Sequence, residues 1–146
     1  MRRFVMCAVA AVVAWAGVSV MAQGKMSVEE YAKLMKSNAQ ANGALNKAVG
    51  SAAYADARAQ VATIRQNFMT LQPFWAERKR AEAVTILKDG LSRLDALDKM
   101  LGGATVDQVA AQAAAKEFGG MTCGACHKMF RDGDNQTGFK FKEGVF

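Results

Sequence analysis

The chain has 146 residues, with 19 Lys and Arg against 13 Asp and Glu, and only one His, one Pro and three Cys. Hydrophobic residues make up 51% and charged residues 22%, which excludes a highly charged disordered chain and leaves enough apolar material for one core. The net charge of +6 contains no block of five or more like charges, and Arg78-Lys79-Arg80 reads as a solvated helix turn, so nucleic-acid binding is not expected.

The N-terminus reads as an export signal. Arg2 and Arg3 form a positive start, Phe4 to Val18 carry no charged or strongly polar side chain, and Val20-Met21-Ala22 forms a small-residue cleavage site before Gln23. The apolar run is shorter than the roughly 20 residues of a membrane span, which favours a cleaved signal over an anchor. Cleavage removes residues 1–22, Cys7 among them, and leaves a single domain of 124 residues (23–146) with net charge +4 and no stable membrane insertion. The expected compartment is the periplasm.

From Ser27 onward the pattern is helical. Ser27-Val28-Glu29-Glu30 matches a capping box, in which hydroxyl and carboxylate satisfy free backbone donors at a helix start, and the first helix runs to about Val49. After Gly50-Ser51, a second helix carries Ala57, Val61, Ile64, Phe68 and Leu71 at bundle-helix spacing and closes at Pro73. The third begins near Trp75 and ends before Gly102-Gly103. Its apolar face is Val84, Leu87, Leu91, Leu94, Leu97 and Leu101, with Gly90 as a small exception. A second capping box, Thr105-Val106-Asp107-Gln108, opens the fourth, whose inner face reads Val109, Ala113, Gly120, Cys123, His127 and Phe130. Four such helices with short connections predict an all-α, antiparallel up-down-up-down four-helix bundle.

The fourth helix carries the chemistry. Cys123-Gly124-Ala125-Cys126-His127 places two thiols three residues apart on one helix face, where they can form thioethers to the vinyl groups of a haem, with the next residue free to bind iron. A thioredoxin-type pair would open a helix after a strand, and a structural zinc site needs four ligands where the mature chain has two Cys and one His. One covalently attached haem c is therefore expected. Such haem is attached after export of an unfolded chain, which favours the general secretory route over the twin-arginine route that Arg2-Arg3 would also suit. Gly119-Gly120 costs about 1 kcal/mol per Gly in helix propensity, and close approach of a porphyrin would supply a reason. The tail from Asp132 to Phe146 is expected to fold back irregularly over the bundle through Phe139, Phe141 and Phe146.

A cleavable signal, four helices, CxxCH in the last of them, and Phe130-Arg131 at the third and fourth positions after the His together resemble the cytochrome c-prime family. Leu34-Met35-Lys36-Ser37-Asn38 followed by Ala44-Leu45 is similar to its low-spin branch, in which a methionine at this place is the sixth iron ligand. Members commonly carry Arg one turn before that residue, where this chain has Tyr31. The resemblance thus implies haem-binding Cys123 and Cys126, proximal ligand His127 and distal ligand Met35. Helix geometry agrees, because Met35 lies about 12 Å from the start of its helix and His127 roughly 7 Å from the end of its own, at the same end of the bundle. Met69 is the reserve candidate, at the correct end but off its helix's stripe.

With both axial ligands in place, the resemblance implies an electron carrier rather than an enzyme. With Met35 packed aside, the alternative is a five-coordinate haem protein that binds NO or CO for sensing, scavenging or storage. The basic charge favours redox partners with acidic surfaces, for which Lys128, Lys140 and Lys142 offer a docking patch. Family members often dimerise through their first two helices, so a homodimer is among the expected states. The exported protein should begin at Gln23, and N-terminal sequencing that finds residues 1–22 retained would refute the cleaved signal.

Overall fold

The computed structural model describes residues 25–134 and 138–145. The expected signal peptide with Cys7, and Phe146 in the tail, lie outside the described residues. Helices α1 (Val28–Gly50), α2 (Tyr54–Glu77) and α3 (Ala81–Leu101) are followed by a last long helix. It consists of α4 (Gln108–Phe118), a π-helical turn (Gly119–Gly124) and α5 (Ala125–Phe130). α1 and α3 each pack against both α2 and the last helix, which makes a four-helix bundle. Side-chain pairs fix antiparallel neighbours: Asn67 on Asn38, Arg58 on Asp98 and Arg65 on Asp95, Arg93 on Glu117, and Gln108 on the carbonyls of Val49 and Gly50.

Local signals explain most boundaries. Ser27 caps α1 through the expected capping box, with Glu30 N–H donating to Oγ at 3.1 Å and Ser27 N–H to the Glu30 carboxylate at 2.7 Å. The stripe Ala57, Val61, Ile64, Phe68 and Leu71 is buried throughout. On α3, Leu87, Leu94, Leu97 and Leu101 are buried and Val84 and Leu91 half-buried. Asp107, not Thr105, caps α4, accepting from Ala110 N–H at 3.0 Å.

Three further expectations are corrected. Pro73 does not close α2, and Trp75 belongs to α2 rather than to α3. An internal Pro costs about 3 kcal/mol, but burial of Phe74 and Trp75 just beyond it, at roughly 1.5–3 kcal/mol per side chain, offsets that loss. The helix runs on to Glu77, and just beyond it the left-handed backbone of Lys79 (φ 57°) lets Arg80 N–H reach Trp75 O at 3.0 Å. Second, the inner face of α4 is Ala111, Ala115 and Phe118, while Val109 is 77% exposed and Ala113 and Gly120 face solvent. The π-helical turn inserts an extra residue per turn, so a stripe extrapolated backward from Cys123 and His127 loses phase.

Third, the tail is not irregular. β1 (Arg131–Asp134) and β2 (Gly138–Phe141) pair antiparallel, with Arg131 opposite Phe141 and Asp134 opposite Gly138. Phe141 docks on Tyr31 and Trp75 at ring separations of 5.1 and 5.8 Å, whereas Phe139 stays half-exposed beneath the Arg131 guanidinium. Arg80 holds the chain end by donating to the carbonyls of Val145 and Gly144.

Gly90 is buried, and a Cβ there would lie 2.5 Å from Thr122 Cγ2 and 2.8 Å from the Phe68 ring. Gly43, exposed in mid-α1, has nothing within 4 Å of the same position. Urea unfolding should therefore separate two identical substitutions. Gly43→Ala should gain up to about 1 kcal/mol from helix propensity, and Gly90→Ala should lose about 1 kcal/mol because overpacking outweighs that gain.

Candidate functional site

Between α1 and the last helix lies a cavity of about 230 Å³ that brings together residues from both ends of the described chain. α1 contributes Tyr31, Met35, Asn38, Ala39 and Asn42; α2 contributes Phe68 and Trp75; α3 contributes Ile86 and Leu87. The last helix contributes Thr122, Cys123, Cys126 and His127. Cys123, Cys126, His127 and Met35 are thus neighbours around one space.

Met69 is elsewhere. It is 48% exposed on a wider groove of about 740 Å³ along the outer face of α1 and α2, whose lining includes no Cys or His. Met100, Met121 and Met129 are exposed and do not line the cavity.

The last helix presents its donors because the π-helical turn widens the helix around Cys123. Thr122 and Phe130 are buried, while Cys123, Cys126 and His127 are half-buried at the wall. The thiols are free. Burial pushes the Cys126 thiol up to about 11, reinforced by repulsion from Cys123, and burial likewise raises Cys123. His127 moves the other way, because burial and then the Arg131 charge disfavour its protonated form. At neutral pH the site therefore presents two protonated thiols and a neutral imidazole with a lone pair to donate.

Tyr31 stands where the resemblance leads one to expect Arg. It stacks on Phe74 at 4.5 Å and meets Trp75 edge-on at 5.6 Å, and burial raises its hydroxyl well above the usual tyrosine range. The position therefore carries an uncharged phenol, and the cation acting on both Tyr31 and His127 is Arg131.

The residues fit a covalently held haem in chemistry. Two thiols and an imidazole on one helix face a thioether across a space lined otherwise by apolar side chains and neutral amides and hydroxyls. The buried Asn38 Nδ2, Asn42 Oδ1 and Thr122 Oγ1 have no protein partner among the described residues. The volume is below the about 300–1,000 Å³ usual for pockets that bury a drug-sized ligand, so a flat group of that size must project through the open side or part the walls. Gly119 and Gly120 do not mark a close approach between protein atoms, since Gly120 has nothing within 4 Å and Gly119 only the Asn42 amide at 3.7 Å. Among the described residues, no three or more His, Cys, Asp or Glu side chains converge as a protein-only metal site.

Sequence reasoning does not single out Trp75 and Thr122 as lining this cavity, nor Asn67 as the α2 residue that bonds Asn38 at its wall. The expected stop at Pro73 places Trp75 on α3 instead of α2, and Asn67 sits one position off its stripe. A polar side chain next to a core stripe was the available signal.

No family model, curated protein or solved structure matches this chain.

In the folded chain at pH 8, iodoacetamide should label Cys126 about a hundredfold more slowly than in urea, because a thiol pushed up from 9.0 to about 11 has its thiolate fraction cut by that factor. The gap should narrow as pH rises toward 11. Equal rates in the two states would show that burial does not control this thiol.

Proposed function

We propose that the chain is a periplasmic c-type haem protein of the cytochrome c-prime kind, resembling the methionine-ligated branch, that carries single electrons between redox partners. One observation carries the reading: Cys123, Cys126, His127 and Met35, from opposite ends of the mature sequence, line a single cavity in an antiparallel four-helix bundle. In this reading Cys123 and Cys126 would hold the haem through thioethers, and His127 and Met35 would ligate its iron. When bound, the haem supplies a one-electron Fe(III)/Fe(II) couple.

The protein's own part is positional and electrostatic. The neutral His127 imidazole needs no deprotonation before it binds metal, and the Met35 thioether favours the reduced form. Phe68, Trp75, Ile86 and Leu87 keep the cavity apolar on two sides. Exposed Lys128 and Lys140, with Lys142 beside them, give the same end a positive surface for acidic partners, and Lys142 Nζ donates to Lys128 O at 2.7 Å. No catalysis is assigned, because with His127 committed the cavity lining holds no other His and no Asp or Glu for acid-base work.

The second reading, a five-coordinate NO- or CO-binding protein, draws on the half-burial of Met35, an unbranched side chain able to swing from the cavity wall. Mass spectrometry and spectroscopy separate the two. Exported protein should carry one haem per chain that survives acid-acetone extraction, and His127→Ala should lose the native spectrum. Wild type should be low-spin, Met35→Leu high-spin and open to CO, and Met69→Leu unchanged. Extractable haem would refute the attachment, and a high-spin wild type that binds CO readily would replace the carrier with the gas binder.

A further inference from the structure

The three buried polar atoms without a protein partner, Asn38 Nδ2, Asn42 Oδ1 and Thr122 Oγ1, belong to residues that all line the cavity of Cys123, Cys126 and His127. Asn38 is 7% exposed and Thr122 2%. Buried polar groups are nearly always paired, so three such atoms gathered at one cavity point to something the cavity takes up.

Asn38 is held in a fixed sense. From α2, Asn67 Nδ2 donates to Asn38 Oδ1 at 2.8 Å and to Ser37 Oγ at 3.1 Å, which uses both of its amide hydrogens. The Asn38 carbonyl is thereby turned to α2, and its unpaired amide group is left to the cavity. Asn38 follows Met35 by three residues on the α1 wall, across from Cys126 and His127 on the last helix. The cavity lining contains no Asp or Glu side chain, and the low local dielectric strengthens a hydrogen bond to a charged acceptor.

We propose that the α1 side of this cavity is a binding site for a small anion, with Asn38 Nδ2 as its hydrogen-bond donor and Asn67 as the residue that positions that donor. The inference rests on the haem reading, in which the anion would take the place that Met35 would otherwise hold at the iron. It specifies the ligand class: anions with a charged acceptor atom directed at Asn38, in preference to neutral CO, whose far atom is a poor acceptor. Asn42 Oδ1, on the same α1 wall, accepts from a bridging water or a protonated ligand.

The test uses the holoprotein in a Met35→Leu background, which removes the competing sulfur, with cyanide for the ferric protein and CO for the ferrous protein as probes. Asn38→Leu should weaken cyanide about tenfold or more, as expected for loss of one hydrogen bond to a charged acceptor, and leave CO within about twofold. Asn67→Asp carries the positioning claim. Its carboxylate accepts where the amide donated, so the Asn38 amide turns toward α2, its carbonyl faces the cavity, and cyanide should weaken while CO does not.

A spectroscopic signature accompanies the affinities. The infrared stretch of bound cyanide should shift in heavy water in the parent and not in either variant. Should Asn38→Leu fail to fold, the near-isosteric Asn38→Asp keeps the bond from Asn67 and replaces the donor with an acceptor, so it must also weaken cyanide. Unchanged cyanide affinity in the variants, or equal losses for cyanide and CO, would overturn the site. A parent protein without covalent haem would instead refute the proposed function beneath it.

Discussion

The π-helical turn from Gly119 to Gly124 is the constraint on which the rest of the site depends. A regular helix that carries Cys123 and His127 toward the bundle would also turn Val109 and Ala113 inward and rotate Ala111 and Ala115 out. The extra residue in the turn uncouples the two halves. Ala111, Ala115 and Phe118 fill the core on one side of it, and Thr122, Cys126 and Phe130 face inward on the other. Two adjacent glycines weaken the α-helical preference where the ladder widens, and such turns recur at functional sites because they re-aim side chains without ending the helix.

The second organising element is the aromatic cluster at the same end of the bundle. Tyr31 from α1, Phe74 and Trp75 from α2, Phe130 from α5 and Phe141 from β2 meet at ring separations between 4.5 and 6.2 Å. Large rings with few rotatable bonds bury much area at little entropic cost, so the cluster packs this end of the bundle beside the cavity. It also explains why α2 continues past Pro73 and why the tail folds as a hairpin. α2 delivers two rings and α1, α5 and β2 one each to the same place, with Arg80 on the α2–α3 turn holding Val145 behind it.

Burial then sets the chemistry. Withdrawal from water keeps the thiols protonated and the imidazole neutral, which are opposite pKa shifts from one cause, since each disfavours a charged form. The same dry environment makes the Asn38–Asn67 contact specific. Two amides buried between helices have one arrangement that satisfies Asn67, and that arrangement dictates what Asn38 shows to the cavity.

Much was legible in the linear pattern. The Ser27 capping box, the α2 stripe from Ala57 to Leu71 and the Cys123-Cys126-His127 constellation depend on residues within one to four turns of each other, where helix periodicity is a sufficient guide. Errors arose where a local rule competed with distant contacts. Pro73 reads as a stop until Phe74 and Trp75 find partners on α1 and the hairpin, and the α4 face reads wrongly because helix periodicity takes no account of an inserted residue. Tail aromatics show no partner in sequence, since Phe141 meets Tyr31 from the opposite end of the chain. By itself, then, the sequence determined that Cys123, Cys126 and His127 share one helix face and that this helix belongs to a bundle, because those properties are set by residue type and short-range spacing. Only the tertiary structure decided that Met35 rather than Met69 shares a cavity with His127, and that Asn67 orients Asn38 toward it. Those outcomes depend on how helices far apart in the chain rotate and register against one another, and packing of the whole core sets that arrangement.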